Sequence, residues 1–451
     1  MERSWFALPL GVAAGLGTAL WAPLPTMQAR ILGITLFCIA LWITNPVPPW
    51  FTGLLGVGLI GLVFSPELAL QGFASPATWL IVFGMVIGEA TQRSGLAGAM
   101  QSIALDRVAH EGASARSTYR RLLVALSVGG LLFALLLPSA LVRILILAPI
   151  LTEVGKAFDS RDARLGLFFA PLFATYYGSA GILTANLPNI VIVGIVQSLT
   201  GTVITWTDWF LALFPIMGLG RVALIVLVVY ALYRPDPDAT VTLPERRDAI
   251  NPDARRMFGF LLVGVAIWAT DFVHGLHPLF GALVVAVLAV LPRVGTMDFE
   301  SVGEVDFSIV FFVGAVFAIA AGLSKTGFTD VAANALLGLI PADASLPVTL
   351  LAVFGATLAL VFVLEGVAVS SVLTPVLVSY AAEAGLPVAA VAYTEAIALA
   401  HYFFPYQSMV LVVMLRQEPV EPIEVVRMAS VLSIATILVL LPLQVGYFTL
   451  I

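Results

Sequence analysis

Long, predominantly apolar stretches such as Leu211 to Leu232 constrain this chain more than any other feature. A run of that kind covers the hydrocarbon core of a bilayer as a helix, which needs about 20 apolar residues. Membrane β-strands alternate apolar and polar positions instead, and the long blocks here do not. The composition points the same way. Of 451 residues 60% are hydrophobic and 11% charged, with a mean hydropathy of +1.05, whereas soluble domains carry about 25% charged residues. So few charges cannot cover a water-facing surface, and membrane lipid is the alternative solvent. The fold class is an all-α polytopic membrane protein.

Spans are expected at Trp5 to Ala22, Arg30 to Trp42, Phe51 to Phe64, Thr78 to Ala90, Leu122 to Leu137, and Leu165 to Ala180 with Ile190 to Leu199. The later blocks are Trp209 to Tyr233, Met257 to Phe272, Leu279 to Leu291, Ser308 to Leu323, Leu350 to Leu364, Leu386 to Leu415 and Val425 to Tyr447. Pro23 and Pro25 end the first block without a small-residue cleavage site, so it reads as a retained span. The segment Arg234 to Arg256, with Arg246, Arg247, Arg255 and several prolines, reads as a linker between two halves.

Lysine and arginine mark cytoplasmic loops. With the N-terminus inside, Arg93, Arg116, Arg120, Arg121, Lys156, the linker arginines, Arg293 and Arg416 all fall inside, leaving Arg30 and Lys325 outside. This requires the chain to dip in and return around Leu137 to Lys156 and around Leu364 to Glu383. The expectation is about eleven transmembrane helices plus two re-entrant hairpins, with the C-terminus outside. Thr78 to Leu96 is echoed by Phe307 to Phe328, each a span closed by a Ser/Thr-Gly turn. Under this topology the copies run in opposite directions, and inverted repeats with broken helices characterise secondary transporters. The corresponding division is scaffold helices at 1–76, a first transport half at 77–206, scaffold and linker at 207–305, a second transport half at 306–416 and a last scaffold helix at 417–451.

Arg143 lies among apolar residues, where a charge costs at least about 2.5 kcal/mol without a partner or a watery cavity. It either meets an anion, pairs with an acid such as Glu365, or snorkels to the interface. Glu365 is equally costly, as a proton carrier or as that counter-ion. Ser139, Thr184, Asn186, Asn189, Tyr406, Gln407 and Ser408 stand at interruptions of apolar blocks. Such groups, with half-helix N-termini, hold a carboxylate or sulfate, or else satisfy freed backbone. His401 is a hydrogen-bonder or a ligand, and its spacing from Glu395 is not that of a metal pair at i, i+4. The four histidines, with His110, His274 and His277 at loop or span ends, form no catalytic cluster, which argues against an enzyme. Cys38, the one cysteine, excludes an intrachain disulfide. A net charge of −6 without a basic run excludes a nucleic-acid partner. An anion channel would need a continuous polar pore, against which the apolar hairpins speak.

The stretch Pro138-Ser139-Ala140-Leu141-Val142-Arg143, followed by an apolar run to Pro149, resembles the hairpin of the divalent anion/sodium symporter family, the carriers of dicarboxylates, citrate and sulfate. Gly178 through Asn189 is similar to the family's small-residue loop, and Leu364 to Pro375 and His401 to Ser408 occupy the corresponding places in the second half. Ala140 and Leu141 stand where the family pattern has Asn and Thr, which there contact substrate and sodium. The resemblance implies an alternating-access, elevator-type carrier of a small divalent organic anion, C4-dicarboxylate-like, with sulfate as the alternative substrate. It also implies a homodimer, the hairpin and broken-helix residues named above as substrate-binding, and no cofactor. Sodium, protons and exchange all stay open as the coupling mode.

Overall fold

A computed structural model of the chain describes residues 7–96, 98–99, 114–235, 239–242, 251–337, 340, 344–415 and 420–450. His110, Arg246, Arg247 and Arg416 lie outside them. The regular secondary structure of the described residues is helical, apart from one isolated bridge between Phe158 and Val241.

Among the described residues, five helices are each long and apolar enough to cross a bilayer: Thr26–Thr44, Ala115–Leu136, Trp206–Leu232, Gly366–Glu383 and Pro422–Phe448. The number becomes seven if each of two bent pairs is one span. Those pairs are Pro66–Ala74 with Pro76–Arg93, bent by 47°, and Ile309–Lys325 with Phe328–Ala335, bent by 78°. Both involve copies of the sequence repeat, and each bend has a local cause. Pro76 can open a helix but lacks the N–H to continue one, and Gly327 takes a left-handed φ of 77°. Gly95 closes the first copy with φ 72°, so the Ser/Thr-Gly turn expected at both copies is present in both. Shorter apolar helices, among them Pro49–Val63, Leu187–Thr200, Leu346–Val361 and Val388–Leu399, complete the set.

The segments read as hairpins begin as capped helices. The Ser139 hydroxyl accepts the Val142 N–H at the start of Ala140–Gly155, and the Glu365 carboxylate accepts the Val367 N–H at the start of Gly366–Glu383. Pro149 and Pro375 then lie at the same offset within the two helices. The long helix Trp206–Leu232 widens to a π turn over Phe214–Gly220, and Pro422–Phe448 does so over Thr436–Leu440. Pro442 supplies the reason for the second, because a proline ring clashes with the carbonyl four residues back, here that of Leu438 within the π turn.

The chain forms two units. The first comprises Met1–Val82, Leu187–Ile204 and Asp306–Ala400. Its core sets Ile31, Cys38 and Ile60 against Ala315, Ala318 and Ile319, so the cysteine is core filling. The second comprises Phe83–Asn186, Thr205–Val305 and His401–Ile451, with Tyr119, Phe158, Phe169, Phe173 and Tyr233 at its centre. Part of the linker is fixed within this unit. Thr240 donates its N–H and hydroxyl to the Asp159 carboxylate at 2.9 and 2.8 Å, which holds that carboxyl below its usual range.

In the first unit the helix Pro49–Val63 packs so closely on Ile309–Lys325 that a Cβ at Gly53 would lie 2.6 Å from the Phe311 carbonyl oxygen. A Cβ at Gly58, on the same helix, meets nothing within 4 Å. Gly53→Ala is therefore expected to cost about 1–3 kcal/mol and Gly58→Ala to gain up to about 1 kcal/mol. Melting temperatures in detergent measure both, and equal shifts would contradict the close approach.

Candidate functional site

Two helix breaks organise the second unit. The helix Arg161–Tyr177 gives way to single tight turns at Gly178–Gly181 and Leu183–Ala185, and Asn186 is extended with φ −139°. Glycine is required at 181, where a Cβ would lie 2.8 Å from the Phe214 Cα. Beyond the other break, His401 to Phe404 precede a turn at Pro405–Gln407, and Ser408 caps the short helix Met409–Met414. The chain passes from one unit to the other at Asn186/Leu187 and at Ala400/His401.

A broken helix at membrane depth exposes backbone donors and acceptors that lipid cannot satisfy. Side chains satisfy them here. Arg143 is fully buried, and its Nη1 donates to the Leu137 carbonyl at 2.5 Å, while Nη2 donates to Thr175 and Ala185 carbonyls at 3.1 and 3.0 Å. Hydrogen bonds from a charged donor are each worth about 1.5–3 kcal/mol, which offsets the cost of burying the guanidinium. Arg143 thus reaches the first break from the helix Ala140–Gly155, and all its partners are carbonyls of its own unit. Trp206 and Trp209 add indole donors to the Thr184 hydroxyl and the Ala180 carbonyl, at 3.3 and 3.1 Å. At the second break the Gln407 Oε1 accepts the N–H groups of Phe403 and Phe404, both at 2.7 Å. Ser433 accepts the Tyr402 N–H and donates to its carbonyl.

The two breaks are joined through tyrosines. Tyr176 and Ser408 share a 2.6 Å hydrogen bond, and the Tyr176 ring stacks on Tyr402 with centroids 5.3 Å apart. Arg221, fully buried in the helix Trp206–Leu232, donates to the Tyr177 carbonyl and to the His401 Nε2, each at 3.3 Å. Its guanidinium also lies 4.9 Å from the Tyr177 ring centroid. Since arginine has no acceptor, His401 receives this bond on a bare Nε2 and carries its proton on Nδ1.

The second unit thus links the break beside Arg143 and Thr184 to the break that holds His401, Gln407 and Ser408, with Asn186 buried at the end of the first. Ser139 is half-buried at the start of the Arg143 helix, whereas Tyr406 is 63% exposed and stacked on Phe404. Asn189 and Glu365 belong to the first unit. There Asn189 is fully buried in the first turn of Leu187–Thr200, which packs against the helix capped by Glu365.

Arg221 was not singled out from sequence, although the signal was present. It sits in an apolar block as Arg143 does, and the same desolvation cost applies to both. Tyr176 and Tyr402 left no comparable signal, because tyrosine in an apolar run is ordinary.

A family model described as "Sodium:sulfate symporter transmembrane region" matches residues 5–451. The L-tartrate/succinate antiporter of Escherichia coli strain K12 is 26% identical over 441 residues, covering 88% of this chain and 86% of that protein. The L-tartrate/succinate antiporter of Shigella dysenteriae serotype 1 is also 26% identical, over 88% of this chain and 85% of its own length. Among solved structures, the YdaH transporter of Alcanivorax borkumensis matches with a TM-score of 0.58 at 16% identity, covering 99% of this chain and 97% of that one. That likeness bears on the fold alone.

Gln407→Leu strands two backbone donors, at a cost of about 1–3 kcal/mol each, while Gln407→Glu keeps an acceptor in place. The leucine variant is expected to melt well below the glutamate variant in detergent. Equal melting would show that the second break does not depend on this side chain.

Proposed function

Because the chain belongs to the sodium:sulfate symporter transmembrane family, we infer that it is a secondary transporter of small organic anions of the dicarboxylate type. The observation that carries this reading is the joining of two helix breaks in one unit beside two fully buried arginines, Arg143 and Arg221. Carrier sites are built from interrupted helices near the bilayer midplane, and two guanidiniums set a positive potential there. The named activity of the relatives, exchange of tartrate and succinate, fits such a site, both ligands being C4 dicarboxylates. Sulfate is the second reading, favoured by the description of the matching family model.

We assign substrate contact to Arg143, Thr184, Asn186, His401 and Ser408. Arg143 acts chiefly as a fixed charge, since its Nη atoms are held by carbonyls. Sodium is not tightly required, because Ala140 and Leu141 provide no side-chain oxygen to a cation. The topology we favour has about eleven crossings and two re-entrant hairpins, N-terminus inside and C-terminus outside. Transport halves at 77–206 and 306–416, a homodimer and elevator-type movement complete the reading.

Reconstituted protein should accelerate uptake of labelled succinate when unlabelled succinate or tartrate is inside, with saturation, and should do so in sodium-free buffer. Flux that rises linearly without counterflow would mean a channel, and a steep sodium requirement would refute the coupling assignment. Arg143→Gln is expected to lower counterflow about 10- to 100-fold, equivalent to about 1.4–2.8 kcal/mol of lost anion stabilisation. Arg143→Lys, which keeps the charge, should fall between this variant and the wild type. A wild-type rate in the glutamine variant would remove Arg143 from the site.

A further inference from the structure

A second buried polar site lies in the first unit, away from the residues to which substrate contact is assigned. Glu395, on the helix Val388–Leu399, has 0% exposure. Its Oε1 accepts a 2.9 Å hydrogen bond from the hydroxyl of Thr374, a residue 1% exposed on the helix Gly366–Glu383. Its Oε2 has no hydrogen-bond partner among the described residues. Among the described residues, the helices packed most extensively against Val388–Leu399 are Leu187–Thr200, Leu346–Val361 and Gly366–Glu383. Their titratable side chains are Tyr380 and Glu383, with Glu365 at the cap, and Val388–Leu399 itself adds Tyr393. None of these four helices carries a lysine, arginine or histidine. Glu383 is exposed at its helix end, beside Asn334, and Glu365 is taken up by the Val367 N–H.

An ionised carboxylate in an apolar interior needs a cation, a metal or several donors. Glu395 has one hydroxyl. A hard metal cation gathers about six oxygens, and the Thr374 hydroxyl with one open carboxylate lobe falls far short of that. A proton on Oε2 needs no further ligand and removes the charge. The position also suits an ion that comes and goes, because Glu395 lies about one turn before the helix ends at Ala400, where the chain leaves the first unit.

We propose that Glu395, hydrogen-bonded through Oε1 to Thr374, is a proton-binding site whose carboxylate takes up a proton from water on one side of the membrane and returns it on the other during the transport cycle. Loading makes the carboxyl O–H bond as an O–H bond of hydronium breaks and leaves water, and release reverses the exchange with no change of oxidation state. The coupling part rests on the transporter reading above, whereas the proton site itself does not.

Infrared spectra of the purified protein in lipid test the site, and proteoliposomes test the coupling. At neutral pH the wild type should show a protonated-carboxyl stretch that is lost in Glu395→Gln and moves to higher frequency in Thr374→Val. An imposed proton gradient should change wild-type succinate flux several-fold and leave Glu395→Gln flux unchanged, with exchange at equal pH retained. Absence of the band in the wild type would overturn the site. A gradient response in Glu395→Gln equal to wild type would overturn the coupling. Should Glu395→Gln not fold, an unshifted band in Thr374→Val would overturn the assignment by itself. A band that behaves as expected in a protein without anion flux would leave the proton site standing and reject the transporter reading.

Discussion

Backbone groups set free where helices break among buried apolar side chains are the constraint on which the second unit is built. Leucine-rich surroundings offer them nothing, and each unsatisfied group costs several kcal/mol. The chain answers with buried polar side chains aimed at the breaks from neighbouring helices. Arg143 covers three carbonyls, Gln407 covers two N–H groups, Ser433 takes both backbone atoms of Tyr402, and Trp209 takes the Ala180 carbonyl. Polar residues at these depths therefore serve stability first. The guanidiniums that hold the carbonyls also set the sign of the local potential, on which the anion site proposed above depends.

Much of this was legible in the sequence because it rests on local chemistry. Apolar blocks gave the helices, Gly178, Gly181 and Pro188 marked the first break, and Pro405 marked the second. The Ser94-Gly95 and Thr326-Gly327 turns revealed the repeat, and both glycines take the left-handed conformation such a turn needs. Arg143 stood out by its cost alone, but its partners did not. The contacts found, donation to its own unit's carbonyls, were not among the options read for it, because backbone acceptors have no sequence signature.

Other features depend on tertiary placement that a linear reading does not contain. The hydrogen bond between Tyr176 and Ser408 joins residues far apart in the chain, and the pairing of Arg221 with His401 does the same. The units are likewise assembled from interleaved segments, each drawing on both halves of the chain. The segments read as hairpins appear as capped helices with prolines at matching offsets, while the sharp bends fall beside the repeated span, before it in the first copy and after it in the second. The repeat is thus close in sequence at its turn and divergent in where each copy bends.

The π turn over Phe214–Gly220 has a consequence for Arg221, the residue immediately after it. A π turn contains one residue more than an α turn, and each residue advances a helix by about 100°. The bulge therefore sets the azimuth of everything downstream, and Arg221 is the first side chain to inherit that phase. Shortening this stretch by a single residue would leave the composition and hydropathy of the span almost unaltered. It would nevertheless swing the guanidinium roughly a quarter turn away from Tyr177 and His401, so chain length here, as much as residue type, encodes where the buried charge points.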